Sequence, residues 1–260
     1  MRILVTFALE NEFAPWRQLR NFRAETWGAV KVFVAEIGNA EVGVLLTGVG
    51  PRQAGLRASE VLRGETDSIN VCVSSGLVGA LRPEYRIGQV LGARTVYSEE
   101  PRADVKTKTL ESSNALLSFA EECGATIVGR FCTAQWVVAR ADEKQLLGEK
   151  ADAVEMESFE ILHQSAELGI PAIAVRAVSD LSDENLPLEN MEEILTDEGK
   201  LSIPRIIGQI AMNPRLLPGL MRLGQQSRAA SESLAEFLDQ FVASVSVRAG
   251  ALTARAAARP

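Results

Sequence analysis

What most constrains the fold of this 260-residue chain is a pair of carboxylates separated by a helix and a buried strand. Val154-Glu155-Met156-Glu157-Ser158 leads into residues 159–168, which read as an amphipathic helix, with Gly169 and Pro171 as its stop signals. Ala172-Ile173-Ala174-Val175 is then continuously apolar, the pattern of a strand buried on both faces of a parallel sheet. The strand runs on to Ser179-Asp180, where the chain turns polar. A helix-and-strand crossover brings that tip back beside the residue that preceded the helix. Glu157 and Asp180 are therefore expected to share one pocket at the carboxyl ends of the strands, where open α/β sheets place their ligands.

Upstream, residues 2–8 read as a first, central strand, apolar throughout, whose end delivers Glu10-Asn11-Glu12. Residues 13–19 read as a helix with Pro15 in its first turn. Glu12 can be a helix N-terminal charge or a pocket base, and its company with Glu157 and Asp180 favours the pocket. Strands over 32–37 and 41–46 flank Gly38-Asn39, a two-residue hairpin signal. The second runs into Thr47-Gly48-Val49-Gly50-Pro51-Arg52 and a helix over 53–63, either an anion cradle or a tight turn for close packing. Gln53 stands where the third glycine of a dinucleotide fingerprint belongs, so no nicotinamide cofactor is expected.

Residues 69–73 form another buried strand, with the small-residue exit Ser74-Ser75-Gly76-Leu77-Val78-Gly79-Ala80-Leu81. Such an exit lets backbone N–H groups approach a ligand, although close packing also explains it. Residues 86–93 and 95–97 extend the sheet, a polar and mobile loop is expected over 98–109, and a helix over 112–123. A strand over 125–133 ends in Ala134-Gln135-Trp136-Val137-Val138, which can wall a planar ligand or belong to the core.

Composition narrows the function. A formal charge of −7 with no compensating basic face argues against nucleic-acid partners. Cys72, Cys123 and Cys132 follow no metal or redox spacing, and His163 is the single histidine, so no metal site is expected. His163 lies six residues after Glu157, on a different helix face, and is expected to be a half-exposed helix residue. Met1 leads directly into a strand and no apolar run reaches membrane-spanning length, which points to a cytoplasmic protein without a membrane span.

Taken in order, these segments resemble the purine nucleoside phosphorylase and nucleosidase superfamily, and within it the methylthioadenosine/adenosylhomocysteine nucleosidases. The resemblance covers roughly residues 2–186. It rests on Ala8-Leu9-Glu10-Asn11-Glu12-Phe13, Thr47-Gly48-Val49-Gly50, Ser75-Gly76-Leu77-Val78-Gly79-Ala80-Leu81, Val154-Glu155-Met156-Glu157 and Val175-Arg176-Ala177-Val178-Ser179-Asp180. It implies an α/β fold with a twisted mixed central sheet and helices on both faces, no cofactor, a homo-oligomer (a dimer by family habit), and a small purine nucleoside as substrate. The implied reaction is cleavage of the N-glycosidic bond of a 5′-modified adenosine to release adenine. Asp180 would be the general acid that protonates N7, and Glu12 would activate water. Glu157 would hold the ribose hydroxyls and Met156 would pack on the sugar. The Val138 backbone would bind the base, with Trp136 or Val137 as a stacking wall, and Glu155, Ser179, Gly76 and Leu77 would complete the binding set.

Two departures matter. Leu77 stands where relatives commonly carry a serine, and the first strand ends in Glu12 instead of the glycine-arginine phosphate site of the phosphorylase branch. A carboxylate repels phosphate and suits water, which favours hydrolysis. A phosphate-dependent phosphorylase for a bulkier, apolar adenosine derivative is the alternative. A non-catalytic nucleoside sensor is another, opposed by the three intact acids.

The domain reading is an α/β core over 1–186, C-terminal helices over 187–247 packed on the same domain, and a disordered tail over 248–260. A short helix is expected over 188–195, and Pro204, Pro214 and Pro218 are expected to cut the next stretch into short helices. Residues 227–245 read as a longer amphipathic helix with Leu234, Phe237, Leu238 and Phe241 at helical spacing. Roughly 185–240 is similar to the tail of hopanoid-associated phosphorylases, relatives thought to strip adenine from adenosylated lipids. Apolar helices over the 5′ side of the pocket would suit a bulky ribose substituent, while a dimer interface or a cover for the sheet edge are competing uses.

Overall fold

The computed structural model describes residues 1–64, 68–99, 109–187 and 212–256, with side chains as far as 248. In chain order the strands are β1 (Arg2–Phe7), β2 (Arg23–Trp27), β3 (Val30–Ile37), β4 (Ala40–Leu46), β5 (Ile69–Ser74), β6 (Leu77–Ala80), β7 (Val90–Ser98), β8 (Thr109–Glu111), β9 (Thr126–Thr133), β10 (Ala153–Glu155) and β11 (Ala172–Asp180). The α-helices among the described residues are α1 (Glu10–Leu19), α2 (Pro51–Gly64), α3 (Asn114–Glu122), α4 (Ala141–Gly148), α5 (Ser158–Glu167) and α6 (Leu217–Ala256).

The strands form one mixed sheet in the order β2-β3-β4-β1-β5-β11-β6-β10-β9-β7-β8, with β11 also pairing antiparallel with β7. β1 is central, parallel to β4 on one side and β5 on the other, as its unbroken apolar sequence requires. Its alternate side chains serve two cores. Ile3, Val5 and Phe7 meet Phe13 and Trp16 of α1 and Leu234, Leu238 and Phe241 of α6. Leu4 joins the opposite core, with Ala54, Ala58 and Val61 of α2 and Phe159 and Leu162 of α5. The sheet is therefore covered by helices on both faces, as expected.

β11 is buried along its whole length and lies parallel to β5 and β6. Its predecessor α5 ends at Gly169, whose φ of 68° is the left-handed conformation of a helix C-terminal glycine. The expected crossover is thus present, and it sets Asp180 and Glu157 at one end of the sheet. The Gly38-Asn39 hairpin also forms, pairing Ile37 with Ala40.

Several expectations change. α1 begins at Glu10, not 13, so Glu12 lies inside its first turn and Pro15 in its interior. The exit after β5 contains a strand of its own, β6. β7 runs unbroken from Val90 through Arg94, while Gly88, at φ 79°, belongs to the turn before it. The edge strand β2 had no apolar pattern to announce it, because four of its five residues are exposed. Helix α4, mostly polar, was likewise unmarked.

At the C-terminus Pro218 starts a helix instead of cutting one. It sits in the first turn of α6, where a missing N–H costs nothing. α6 is helical to Ala256, where a disordered tail from 248 was expected. The expected helix at 188–195, the apolar segment at 201–210 and most of the polar loop (100–108) lie outside the described residues. α6 docks on α1 through apolar contacts and one polar cluster, in which Asp239 accepts both Nε and Nη2 of Arg20 at 2.6 Å and the Trp16 indole N–H at 3.3 Å. Among the described residues no helix is long and apolar enough to cross a membrane.

Candidate active site

Glu12 occupies the third position of α1, behind an N-cap, Leu9, that has no side-chain acceptor. Its Oε2 reaches back to the N–H groups of Ala8 (3.1 Å) and Leu9 (3.3 Å), the reciprocal half of a capping box. The side chain is buried, and burial together with the charge of Glu157 pushes its carboxyl up to about 7, against the pull of Arg176 and the two backbone donors. A carboxylate poised near neutrality beside a cavity suits a general base. The capping bonds and the place in the cavity wall, alternatives in the sequence, occur together.

The second group forms around Arg176, a guanidinium inside the apolar run 172–178 of β11. Its Nη2 lies 2.7 Å from Glu155 and 3.1 Å from Glu157, its Nε donates to Ser158 Oγ at 3.1 Å, and its Nη1 donates to the Leu77 carbonyl at 3.1 Å. Glu157 also accepts the Gly50 N–H at 2.9 Å. The glycine turn at the start of α2, at Gly48 (φ 80°) and Gly50 (φ 99°), therefore cradles an anion, and that anion is the protein's own carboxylate. Burial raises the Glu157 carboxyl; Arg176 opposes the rise and Glu155 adds to it.

Glu155, which also lines the cavity, is bonded within the protein. Its Oε2 accepts the Glu157 and Ser158 N–H groups at 2.8 and 2.7 Å, and its Oε1 takes the Thr133 hydroxyl. It caps the turn into α5 and holds Arg176, so its bonds are made to protein. Gly76, at φ 135°, lies where a Cβ would come 2.9 Å from Arg176 Nη1 and 3.2 Å from Glu12 Oε2. A side chain there would separate Glu12 from the guanidinium, which accounts for the glycine at this position.

Asp180 is buried at the tip of β11. Its Oδ1 accepts the Ser179 hydroxyl at 2.8 Å and its Oδ2 the Lys144 ammonium at 2.5 Å. Asp180 is thus both buried and paired with a cation. Two buried cations thus face four buried carboxylates, Arg176 at the Glu12–Glu155–Glu157 end and Lys144 at the Asp180 end. With every group ionised, the site is net negative.

A cavity of about 170 Å³ joins these groups. Glu12, Leu77, Trp136, Val137, Val138, Glu155, Met156, Glu157, Ser179 and Asp180 all line it; of the expected set only Gly76 does not. Trp136 is 41% exposed and stands at the rim, whereas Val138 is buried. The cavity opens into a groove of about 880 Å³ between α1 and α6, with Leu9, Glu12, Leu77, Val137, Ser179, Asp180 and Leu186 common to both. Leu19, Leu220, Leu223 and Ala235 extend the groove away from the acids. His163 is half-buried against Phe159, as expected, and lines neither cavity.

Sequence reasoning gave no role to two residues. Arg176 was visible as a lone charge in a buried run, a signal that could have been followed. Lys144 was not, because Asp142-Glu143-Lys144 reads as a solvated helix surface.

Comparison with known proteins agrees with this architecture. A 5′-methylthioadenosine/S-adenosylhomocysteine nucleosidase from Helicobacter pylori, solved with butyl-thio-DADMe-Immucillin-A, superposes with a TM-score of 0.71 at 19% identity over 93% of this chain and 97% of that one. The Neisseria meningitidis enzyme of the same name, solved with methylthio-immucillin-A, gives 0.71 at 17% identity over 94% and 99%. The futalosine hydrolase of Helicobacter pylori gives 0.70 at 18% identity over 93% and 98%. A sequence model described as the phosphorylase superfamily matches residues 2–203, most of the chain, and on that match this protein belongs to the phosphorylase superfamily.

Proposed function

We propose that this protein is an N-ribosyl hydrolase that cleaves the N-glycosidic bond of a 5′-modified adenosine and releases adenine. The observation that carries the reading is the division of one small cavity between a raised carboxyl, Glu12, beside Glu157 and a separate acid, Asp180, facing the other end. Heterolysis of C1′–N9 leaves positive charge on the ribose and negative charge on the purine. A net negative sugar end stabilises the first. A proton passed from Asp180 to N7 neutralises the second, a contribution of roughly 10²–10⁴-fold. Glu12 takes the proton of the attacking water, Glu157 holds the ribose hydroxyls, and Met156 packs against the sugar. The Val138 backbone meets the base, with Trp136 or Val137 across its face.

Hydrolysis is favoured over phosphorolysis because the Arg176 guanidinium is already engaged by Glu155, Glu157, Ser158 and Leu77. A phosphate dianion entering that end would meet carboxylates. The ligands of the superposed nucleosidases, methylthio- and butylthio-substituted, support a 5′-thioether class of substrate. The groove, with Leu19, Leu220, Leu223 and Ala235 in its wall, supports a larger 5′ substituent and so a second reading, in which phosphate replaces water as the nucleophile; the groove bears on the substituent alone.

Adenine release from methylthioadenosine, adenosylhomocysteine and adenosine, each with and without phosphate, tests both. The expected result is adenine and a free ribose derivative, indifferent to phosphate. A strict phosphate requirement with a sugar 1-phosphate product would replace hydrolysis by phosphorolysis. Tight nucleoside binding without turnover would leave a sensor.

A further inference from the structure

We propose that Lys144 is a positioning residue for Asp180: it aims the acid at the leaving purine and ties it to the loop after β11, which in turn is bonded to the long C-terminal helix. The inference rests on the reading of Asp180 as the acid that protonates the base. Lys144 projects from α4 and its side chain is fully buried. Its Nζ has three acceptors, Asp180 Oδ2 at 2.5 Å, the Leu181 carbonyl at 2.8 Å and the Glu184 carbonyl at 3.1 Å. An ammonium has three N–H donors, so each is matched and the group is fixed in direction as well as place. A bond to a charged group in a buried setting is among the stronger hydrogen bonds, and here it is backed by two more from the same atom.

The consequence for Asp180 is geometric. With Oδ2 held by Lys144, the oxygen left for the purine is Oδ1, which it shares only with the adjacent Ser179 hydroxyl. A carboxyl free to rotate would present either oxygen; this one presents a defined one. In the reaction Asp180 starts protonated on Oδ1; the C1′–N9 electron pair passes to the purine as N7 takes that proton. The water oxygen bonds to C1′ as one of its protons passes to the ionised Glu12, and Lys144 keeps all three of its own throughout.

The other two bonds of Lys144 fix the loop after β11. Glu184, whose carbonyl it holds, directs its carboxylate to Gln226 Nε2 of α6 at 3.0 Å and closes the turn by accepting the Leu181 N–H at 3.0 Å. On the other side Asn185 Oδ1 accepts the Ala141 N–H at the start of α4 at 2.8 Å. The acid is thus aligned by the same loop that seats the helix lining the groove.

The test is kcat and KM for adenine release from methylthioadenosine in the wild type, Lys144→Met, Asp180→Asn and the double variant. Misplacement of a catalytic group by about 1 Å costs up to roughly 10²-fold. Lys144→Met is expected to lower kcat by that order with little change in KM, and to cost nothing further in the Asp180→Asn background. A wild-type kcat in Lys144→Met, or an equal loss in both backgrounds, overturns the proposal. If the buried carboxylate left behind prevents folding, Lys144→Arg decides: it keeps the charge and displaces it, so a positioning role lowers kcat while a simple countercharge preserves it. Absence of adenine release by the wild type on any nucleoside would sink the reading of the site itself, whereas an active wild type indifferent to Lys144 would sink this inference alone.

Discussion

Glu12→Gln should make the protein more stable while removing its activity. In the folded state burial and the Glu157 charge hold the Glu12 carboxyl at about 7, against an ordinary 4.5. The native state therefore binds more protons than the unfolded chain between those values, so stability falls as pH rises through that window and the loss is complete above it. The gap, at about 1.36 kcal/mol per pH unit, amounts to roughly 3 kcal/mol. Glutamine keeps an oxygen to accept the Ala8 and Leu9 N–H groups and carries no charge, so it resembles the protonated acid at every pH. Thermal melts at about pH 8 should place the variant about 6 °C above the wild type, at roughly 2 °C per kcal/mol for a chain of this size. Near pH 4.5 the gap should close. In the same preparation adenine release by the wild type should rise with pH through about 7, as the base ionises, and the variant should be inactive throughout. A variant no more stable than the wild type at high pH, or one whose advantage does not change with pH, would refute the argument that Glu12 is held strained and ready.

Three further outcomes follow from the geometry. Arg176→Met should cost about 3–5 kcal/mol in urea unfolding, because it leaves Glu155 and Glu157 buried beside each other without their cation. Gly79→Ala would set a Cβ 2.9 Å from Asp180 Oδ2, so kcat should drop by roughly 10-fold or more from misalignment while the melting curve stays cooperative. Gly224→Trp, in the groove wall on α6, should raise KM for nucleosides with a bulky 5′ group and leave adenosine almost unaffected; equal effects on both would show that the groove is not part of the substrate site.

The legible part of this chain was its buried strands and the two acids around α5. β1, β5 and β11 announce themselves because a strand covered on both faces is built mainly of apolar residues, and α5 because one helical face must be apolar. Its Gly169 stop followed from the left-handed backbone that a helix end requires. β2 was invisible because an exposed edge strand is held by backbone bonds that any side chain can make. Pro218 misled because a proline that breaks a helix interior is welcome in a first turn, and sequence does not say which turn it is in.

The sequence by itself determined the buried strands, the crossover through α5 and the convergence of Glu12, Glu157 and Asp180, since periodicity and crossover chirality are local or topological properties of the chain. Only the tertiary structure decided what those acids face. The cation beside Asp180 comes from a helix 36 residues away in sequence, and the donor to Glu157 from a turn 107 residues away. Charge, burial and protonation depend on such neighbours, and no spacing rule encodes a neighbour that the fold alone brings near.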